Sequence, residues 1–244
     1  MTPSIIVGLA IVSMAVYAAL RRAPDADAQR KGASFLLGVG NFFLHWFLWC
    51  LGPVEALLTK VGATPDVLNL LGLFFGLLSG TCIALGHLEA GGWSIAAGGA
   101  CDILDGRLAR AQGVVSLYGK FIDSTLDRFV DVLVLLGFVF FFVSRNPTGA
   151  FASAAAMGGS LLVSYTQSRG ETVGIIKTGG LMQRAERVVF TCVVCLFDPS
   201  LSLQLGRPVG TVALWAMVFT AATTFGTAAY RTIVIASRLR GKPS

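Results

Sequence analysis

Ionised residues are what this sequence has least of. Asp, Glu, Lys and Arg make up 13% of the chain against 55% hydrophobic residues, and only two histidines occur. Apolar runs close to the ~20 residues that cross a bilayer recur along its length. No stretch between them is long enough to close a separate core of ~50 residues or more, which excludes a large soluble domain. The chemistry must sit on or between membrane helices. His45 and His87 have no visible partner and read as interfacial polar groups rather than ligands. The five cysteines all lie in apolar surroundings, so Cys192 and Cys195 in "FTCVVCLF" read as helix packing rather than a redox pair. A basic start before the first apolar run is also missing; Arg21 and Arg22 follow that run, which makes it a retained helix rather than a cleaved signal.

What is present is an all-α polytopic membrane protein. Helical spans are expected at about 4–20, 66–87, 92–112, 117–143, 148–168, 182–198 and 209–236. Assigning alternate span ends to opposite sides leaves only Arg145 and Arg207, of nineteen Lys and Arg, on one side. The other side is then the cytoplasm, and the net charge of +6 follows from this bias rather than from nucleic-acid binding. "RRAPDADAQRKG" (Arg21 to Gly32) reads as a cytoplasmic linker. The aromatic-rich segment from Asn41 to Ala63, broken at Gly52-Pro53, reads as a helix lying in the headgroup layer. "EAGGW", "SRNPTG" and "FDPSLSLQLGRPVG" read as short outer connectors. The organisation expected is an N-terminal span, linker and interfacial helix over 1–63, a transmembrane domain over 64–238 and a tail over 239–244.

Against this background one stretch stands out. "CDILDGRLARAQGVVSLYGKFIDSTLDRFVD", Cys101 to Asp131, holds five of the thirteen acidic residues. Asp102 and Asp105 are i and i+3 on one helix, and Asp123 and Asp127 are i and i+4 on the next, so each pair shares a face. The short connection makes the helices antiparallel neighbours, and four carboxylates then face one cleft. Each ionised acid costs ~2.5–3.5 kcal/mol on insertion scales, and the four repel one another. Something positive must compensate them. Hard divalent cations suit oxygen ligands and share bridging carboxylates; ion pairing with Arg107, Arg110 and Arg128 is the alternative. Gly106, Ala109 and Gly119 clear side chains from the adjoining surface, as a closely approaching ligand requires, and Arg110 offers forked donors to a phosphate.

Asp102-x2-Asp105-Gly106-x2-Ala109-Arg110-x8-Gly119-x3-Asp123-x3-Asp127 resembles in full the signature of the CDP-alcohol phosphotransferases. The resemblance extends from about Thr64 to Arg231. It implies a six-helix transmembrane bundle, here with an extra N-terminal span and an interfacial helix, working as a homodimer in the plasma membrane. It also implies transfer of a substituted phosphate from a CDP-linked lipid such as CDP-diacylglycerol to a hydroxyl acceptor, releasing CMP. Two divalent cations, Mg²⁺ or Mn²⁺, would be held by Asp102, Asp105, Asp123 and Asp127, with Asp127 as the base. Gly106, Ala109, Arg110 and Gly119 would border the nucleotide.

The acceptor is read from elsewhere. "DSTLDR", "SYTQSRGE" and "GLMQRAER" resemble the branch that uses inositol phosphate, the phosphatidylinositol phosphate synthases. That branch often has S-Y-x-R-A-R-x-E; here Gln167 and Ser168 precede Arg169, so one cation is missing. Arg169, Lys177, Arg184, Arg187 and Arg231 remain to surround an acceptor phosphate. Glycerol phosphate is the alternative acceptor. A cation transporter is a rival of another class, but no second half repeats the acidic stretch. An inactive lipid-binding relative is the other rival, and all four acids are intact.

Overall fold

The computed structural model describes residues 12–20, 39–175 and 179–240, and every regular element among them is helical. Residues 12–19 are helical and precede α1 (Val39–Lys60), α2 (Pro65–Ala84), α3 (Leu88–Ala111), α4 (Leu117–Val143), α5 (Pro147–Thr172), α6 (Arg184–Gln204) and α7 (Thr211–Arg240). At ~1.5 Å per residue, α2 to α7 are each about as long as the ~30 Å hydrocarbon layer or longer. Among the described residues, α2 and α7 are long enough, and each contains a stretch apolar enough, to cross a membrane by length and composition. The spans expected over 92–112 and 117–143 are helical as well, but they carry Asp102, Asp105, Arg107 and Arg110, or Asp123, Asp127, Arg128 and Asp131. Those charges set both helices apart from a plain lipid-facing span. The linker from Arg21 to Gly32, the start of the first span and the last four residues lie outside the described residues.

The helix starts follow from local chemistry. Ser116 caps α4, its hydroxyl accepting from the Gly119 N–H at 3.0 Å. Asn146 does the same for α5 through the Gly149 N–H at 3.1 Å, with Pro147 at the first turn where no N–H is needed. At the end of α4, Arg145 donates to the Phe141 carbonyl at 2.6 Å and lies 4.4 Å over the Phe141 ring.

Two expectations change. The segment around Gly52-Pro53 is not broken: α1 runs unbroken through Pro53. Proline removes one backbone donor, and Gly52 before it carries no Cβ for the ring to meet. The expected connector "FDPSLSLQLGRPVG" is helical as far as Gln204. Within it, Asp198 has a structural role. It is fully buried and accepts from the backbone N–H groups of Gly210 at 2.6 Å and Ala213 at 2.7 Å, capping the start of α7 from α6. Asp198→Ala leaves those donors unpaired and is expected to cost at least ~2 kcal/mol, read as a lower melting temperature in detergent, with Asp198→Asn less harmful.

The chain forms two compact units, one of residues 1–65 and 104–114, the other of 66–103 and 115–244. In the first, Arg107 Nε meets Glu55 Oε2 at 2.5 Å, Gln112 donates to the Ala63 carbonyl at 2.8 Å, and Trp46 donates to Ser13 at 3.1 Å. The second is built around a buried cluster that includes Ile83, Leu88, Phe138, Phe142, Ala156 and Met217. Here α2 and α4 cross backbone to backbone. A Cβ on Gly80 would overlap the Leu133 carbonyl, and one on Gly137 would overlap Gly80 itself. Gly137→Leu is therefore expected to cost ~1–3 kcal/mol or more, seen as lost monodisperse protein on size exclusion, whereas Gly158→Leu, with open space at its Cβ, is tolerated.

Candidate functional site

Three of the four signature carboxylates converge. One oxygen each from Asp102 on α3 and from Asp123 and Asp127 on α4 lie within 4.8 Å of one another. A divalent cation bound at ~2.0–2.6 Å by oxygen ligands fits that spacing, since ligand oxygens on opposite sides of one ion stand ~4–5 Å apart. The donor set is all oxygen, which favours hard cations over soft ones. Asp105 follows Asp102 by one turn of α3 and is buried, with 5% of its surface exposed. Helical spacing, i and i+3 on α3 and i and i+4 on α4, is what gives each pair a common face.

Arg107 pairs with Glu55, and Arg128 donates to the Ser124 carbonyl on its own helix. Arg184, at the start of α6, which the sequence assigns to the acceptor phosphate, is a cation beside the carboxylates. Its Nη1 lies 3.2 Å from Asp102 and its Nη2 2.6 Å from Asp127, so one guanidinium bridges the two acidic helices. Behind it, Arg187 Nη2 meets Asp131 Oδ2 at 2.5 Å with both side chains buried, and Arg187 Nη1 donates to the Met182 carbonyl at 3.3 Å. The start of α6 is fixed by Glu186, which accepts from the Gln183 N–H at 2.8 Å.

Asp131 is the site-adjacent residue that the sequence reading left without a role. Its signal was legible: Asp123, Asp127 and Asp131 repeat at i, i+4 and i+8, one stripe of α4. A third turn of acid on a membrane helix calls for a partner, and Arg187 supplies it.

The remaining site residues are placed as follows. Gly106 leaves room across which the Arg110 guanidinium lies; a Cβ there would stand 3.3 Å from Arg110 Nη1. Ala109 is half-buried, and Gly119 serves the Ser116 cap. Arg169 is exposed in the last turn of α5. Gln167, which occupies the position of the missing cation, donates to Glu171 at 2.8 Å. Arg231 is buried and donates to the Gly179 and Val163 carbonyls at 3.1 and 2.9 Å, so it ties α7 to α5 and to the segment before α6. Lys177 lies outside the described residues.

Fold and site together define a class: a helical membrane protein whose paired helices carry a carboxylate centre suited to divalent cations. A family model described as CDP-alcohol phosphatidyltransferase matches residues 62–223, and the chain belongs to that family. It is 32% identical over 157 residues to the phosphatidylinositol phosphate synthase of Streptomyces avermitilis, a match covering 62% of this chain and 64% of that protein. It is 34% identical over 150 residues to the archaetidylinositol phosphate synthase of Pyrococcus horikoshii, covering 60% of this chain and 78% of the relative. The crystal structure of Mycobacterium tuberculosis phosphatidylinositol phosphate synthase with CDP-DAG bound superposes with a TM-score of 0.65 at 26% identity, over 75% of this chain and 92% of that one. The same enzyme with manganese and citrate gives 0.67 at 25% identity, over 76% and 88%.

Proposed function

We propose that the protein is a phospholipid-synthesis enzyme that transfers a phosphatidyl group from a CDP-linked lipid, CDP-diacylglycerol, to the hydroxyl of inositol phosphate, releasing CMP. The observation that carries this reading is the convergence of Asp102, Asp123 and Asp127 with a guanidinium beside them. Asp105 joins the set through the signature spacing. Divalent cations, Mg²⁺ or Mn²⁺, two in number by the family resemblance, would hold the donor diphosphate and make its phosphorus a better electrophile.

The chain's own residues do the rest. Asp127 accepts the proton of the acceptor hydroxyl as its oxygen bonds to the lipid-bearing phosphorus, and the bond from that phosphorus to CMP breaks. Gly106, Ala109, Arg110 and Gly119 would border the nucleotide, as the family signature implies. Arg184, with Arg187 behind it, would meet the acceptor phosphate, and Arg169 would stand at the mouth of its pocket; Lys177, outside the described residues, is assigned to the same group from the sequence alone. Arg231, assigned to the same group, also holds Val163 and Gly179 through their carbonyls. Inositol phosphate is favoured over glycerol phosphate by the names of the bacterial and archaeal relatives.

The arrangement that goes with this reading is a six-helix bundle, α2 to α7, preceded by an additional span and the interfacial helix α1. The concentration of Lys and Arg at one set of span ends supports an active site facing the cytoplasm, with the enzyme a homodimer in the plasma membrane. The test is CMP release by purified protein given CDP-diacylglycerol and Mg²⁺ or Mn²⁺, with inositol phosphate, glycerol phosphate, serine and inositol offered in parallel. Inositol phosphate is expected to turn over fastest. Preference for another acceptor overturns the acceptor assignment, and no CMP with any acceptor overturns the reaction.

A further inference from the structure

Arg184 sits where a positive charge is needed, yet it is only partly satisfied there. Its two terminal nitrogens reach Asp102 and Asp127, but its Nε is buried without a hydrogen-bond partner and lies 3.9 Å from Asp131 Oδ1. A formed N–H···O bond needs ~3.2 Å or less, so a shift of about an ångström would close this one. Asp131 cannot easily make that move. Its other oxygen is held by Arg187 at 2.5 Å, and Arg187 is tied to the Met182 carbonyl. Arg184 is therefore the partner free to travel, and Asp131 is a fixed acceptor waiting one turn further along α4.

A cation on Asp102 and Asp127 competes directly with Arg184, because both charges seek the same carboxylate oxygens. Expelling a guanidinium from two ion pairs with nowhere to go would oppose metal binding; a second carboxylate beside it removes that opposition. We propose that Asp131 is a positioning residue that receives Arg184 when a divalent cation takes its place on Asp102 and Asp127. The proposal rests on the metal-dependent transfer proposed above and deepens it. Without the cation, Arg184 neutralises the carboxylates and is turned away from an acceptor. With it, Arg184 is anchored through Nε on Asp131 and its two terminal nitrogens become available to a phosphate. Metal loading and readiness for the acceptor are then one event, with the cation binding before the phosphorylated acceptor.

The experiment is Mn²⁺ binding to the purified full-length protein, followed by the paramagnetic resonance signal of free Mn²⁺, in wild type, Asp131→Asn, Asp131→Glu, Arg184→Gln and the Asp131→Asn, Arg184→Gln double variant. Asp131→Asn is expected to weaken Mn²⁺ binding about tenfold, Asp131→Glu to restore it, and Asp131→Asn to have less than about a twofold effect once Arg184 is Gln, a coupling that only a route through Arg184 produces. An equal loss in both backgrounds would make Asp131 a distant charge acting on the metal directly and would overturn the proposal. So would an unchanged affinity in Asp131→Asn alone. A wild-type protein that binds no Mn²⁺ defeats the metal reading itself, and that result is seen before any variant is compared. If Asp131→Asn fails to fold, the wild-type structure with Mn²⁺ decides. Arg184 Nε at hydrogen-bond distance from Asp131 upholds the proposal, and Arg184 still astride Asp102 and Asp127 refutes it.

Discussion

Asp127→Asn is expected to reduce turnover by at least ~10²-fold, the scale of a lost positioned acid–base group, while the protein still inserts and folds. Asparagine keeps the size and one acceptor oxygen of aspartate but cannot take a proton from the acceptor hydroxyl. Asp102→Asn, Asp105→Asn and Asp123→Asn are expected to lose a similar factor for a different reason, the weakened hold on cations. The two causes separate in binding. Asp127→Asn should lose turnover more than it loses affinity for the CDP donor, whereas Asp102→Asn should lose both, because the donor diphosphate is reached through the cations. Calorimetric titration with CDP in Mg²⁺, set beside CMP release, measures the two quantities. Near-normal CMP release from any two of the four variants would remove the carboxylates from the reaction, and the reverse ordering of binding and turnover would exchange the roles of Asp102 and Asp127.

Much of this site was legible in the sequence because helices translate spacing into direction. Asp102, Asp123 and Asp127 are separated by up to twenty-five positions, yet two short-range periodicities and one short connection are enough to bring them to one place. One cation beside them, Arg184, was harder to read. Arg107 and Arg128 are near the acids in sequence, and sequence proximity made them the natural partners; Arg184 is 82 residues from Asp102 and reaches it only because α6 packs into the second unit. Arg231 shows the same limit from another side. Its donors reach the carbonyls of Val163 and Gly179, 68 and 52 residues away in sequence, and nothing local announces those bonds. Asp198 was hidden in a segment rich in Pro, Ser and Gly. Turn composition argued for a connector, while the two backbone donors that Asp198 satisfies at the start of α7 are a tertiary fact with no local signature.

Arg184 and Arg187 are one turn apart on α6, and the sequence offers no reason to treat them differently. Their surroundings do. Arg187 is 4% exposed and its partner Asp131 9%, so Arg187→Ala strands a buried carboxylate. Breaking such a pair by removing one member costs ~3–5 kcal/mol, enough to lower the melting temperature by about 10 °C in a chain of this size. Arg184 is 29% exposed and open to water on one side, so Arg184→Ala is expected to leave a folded protein. Its expected effect falls on the acceptor: the KM for inositol phosphate rises about tenfold or more, from ~1.5–3 kcal/mol per hydrogen bond to a charged group, while the donor KM hardly changes. A further pair of substitutions distinguishes burial from chemistry. Replacing both members of a buried ion pair by apolar residues of similar volume is often neutral, so Arg187→Met with Asp131→Leu should recover most of the stability that Arg187→Ala loses. It should not recover acceptor use, since Arg184 then has no carboxylate to hold it. Thermal unfolding in detergent and acceptor KM, measured on the same preparations, test both halves. An unchanged melting temperature in Arg187→Ala contradicts the structural role of that residue. An unchanged acceptor KM in Arg184→Ala removes the guanidinium from acceptor binding.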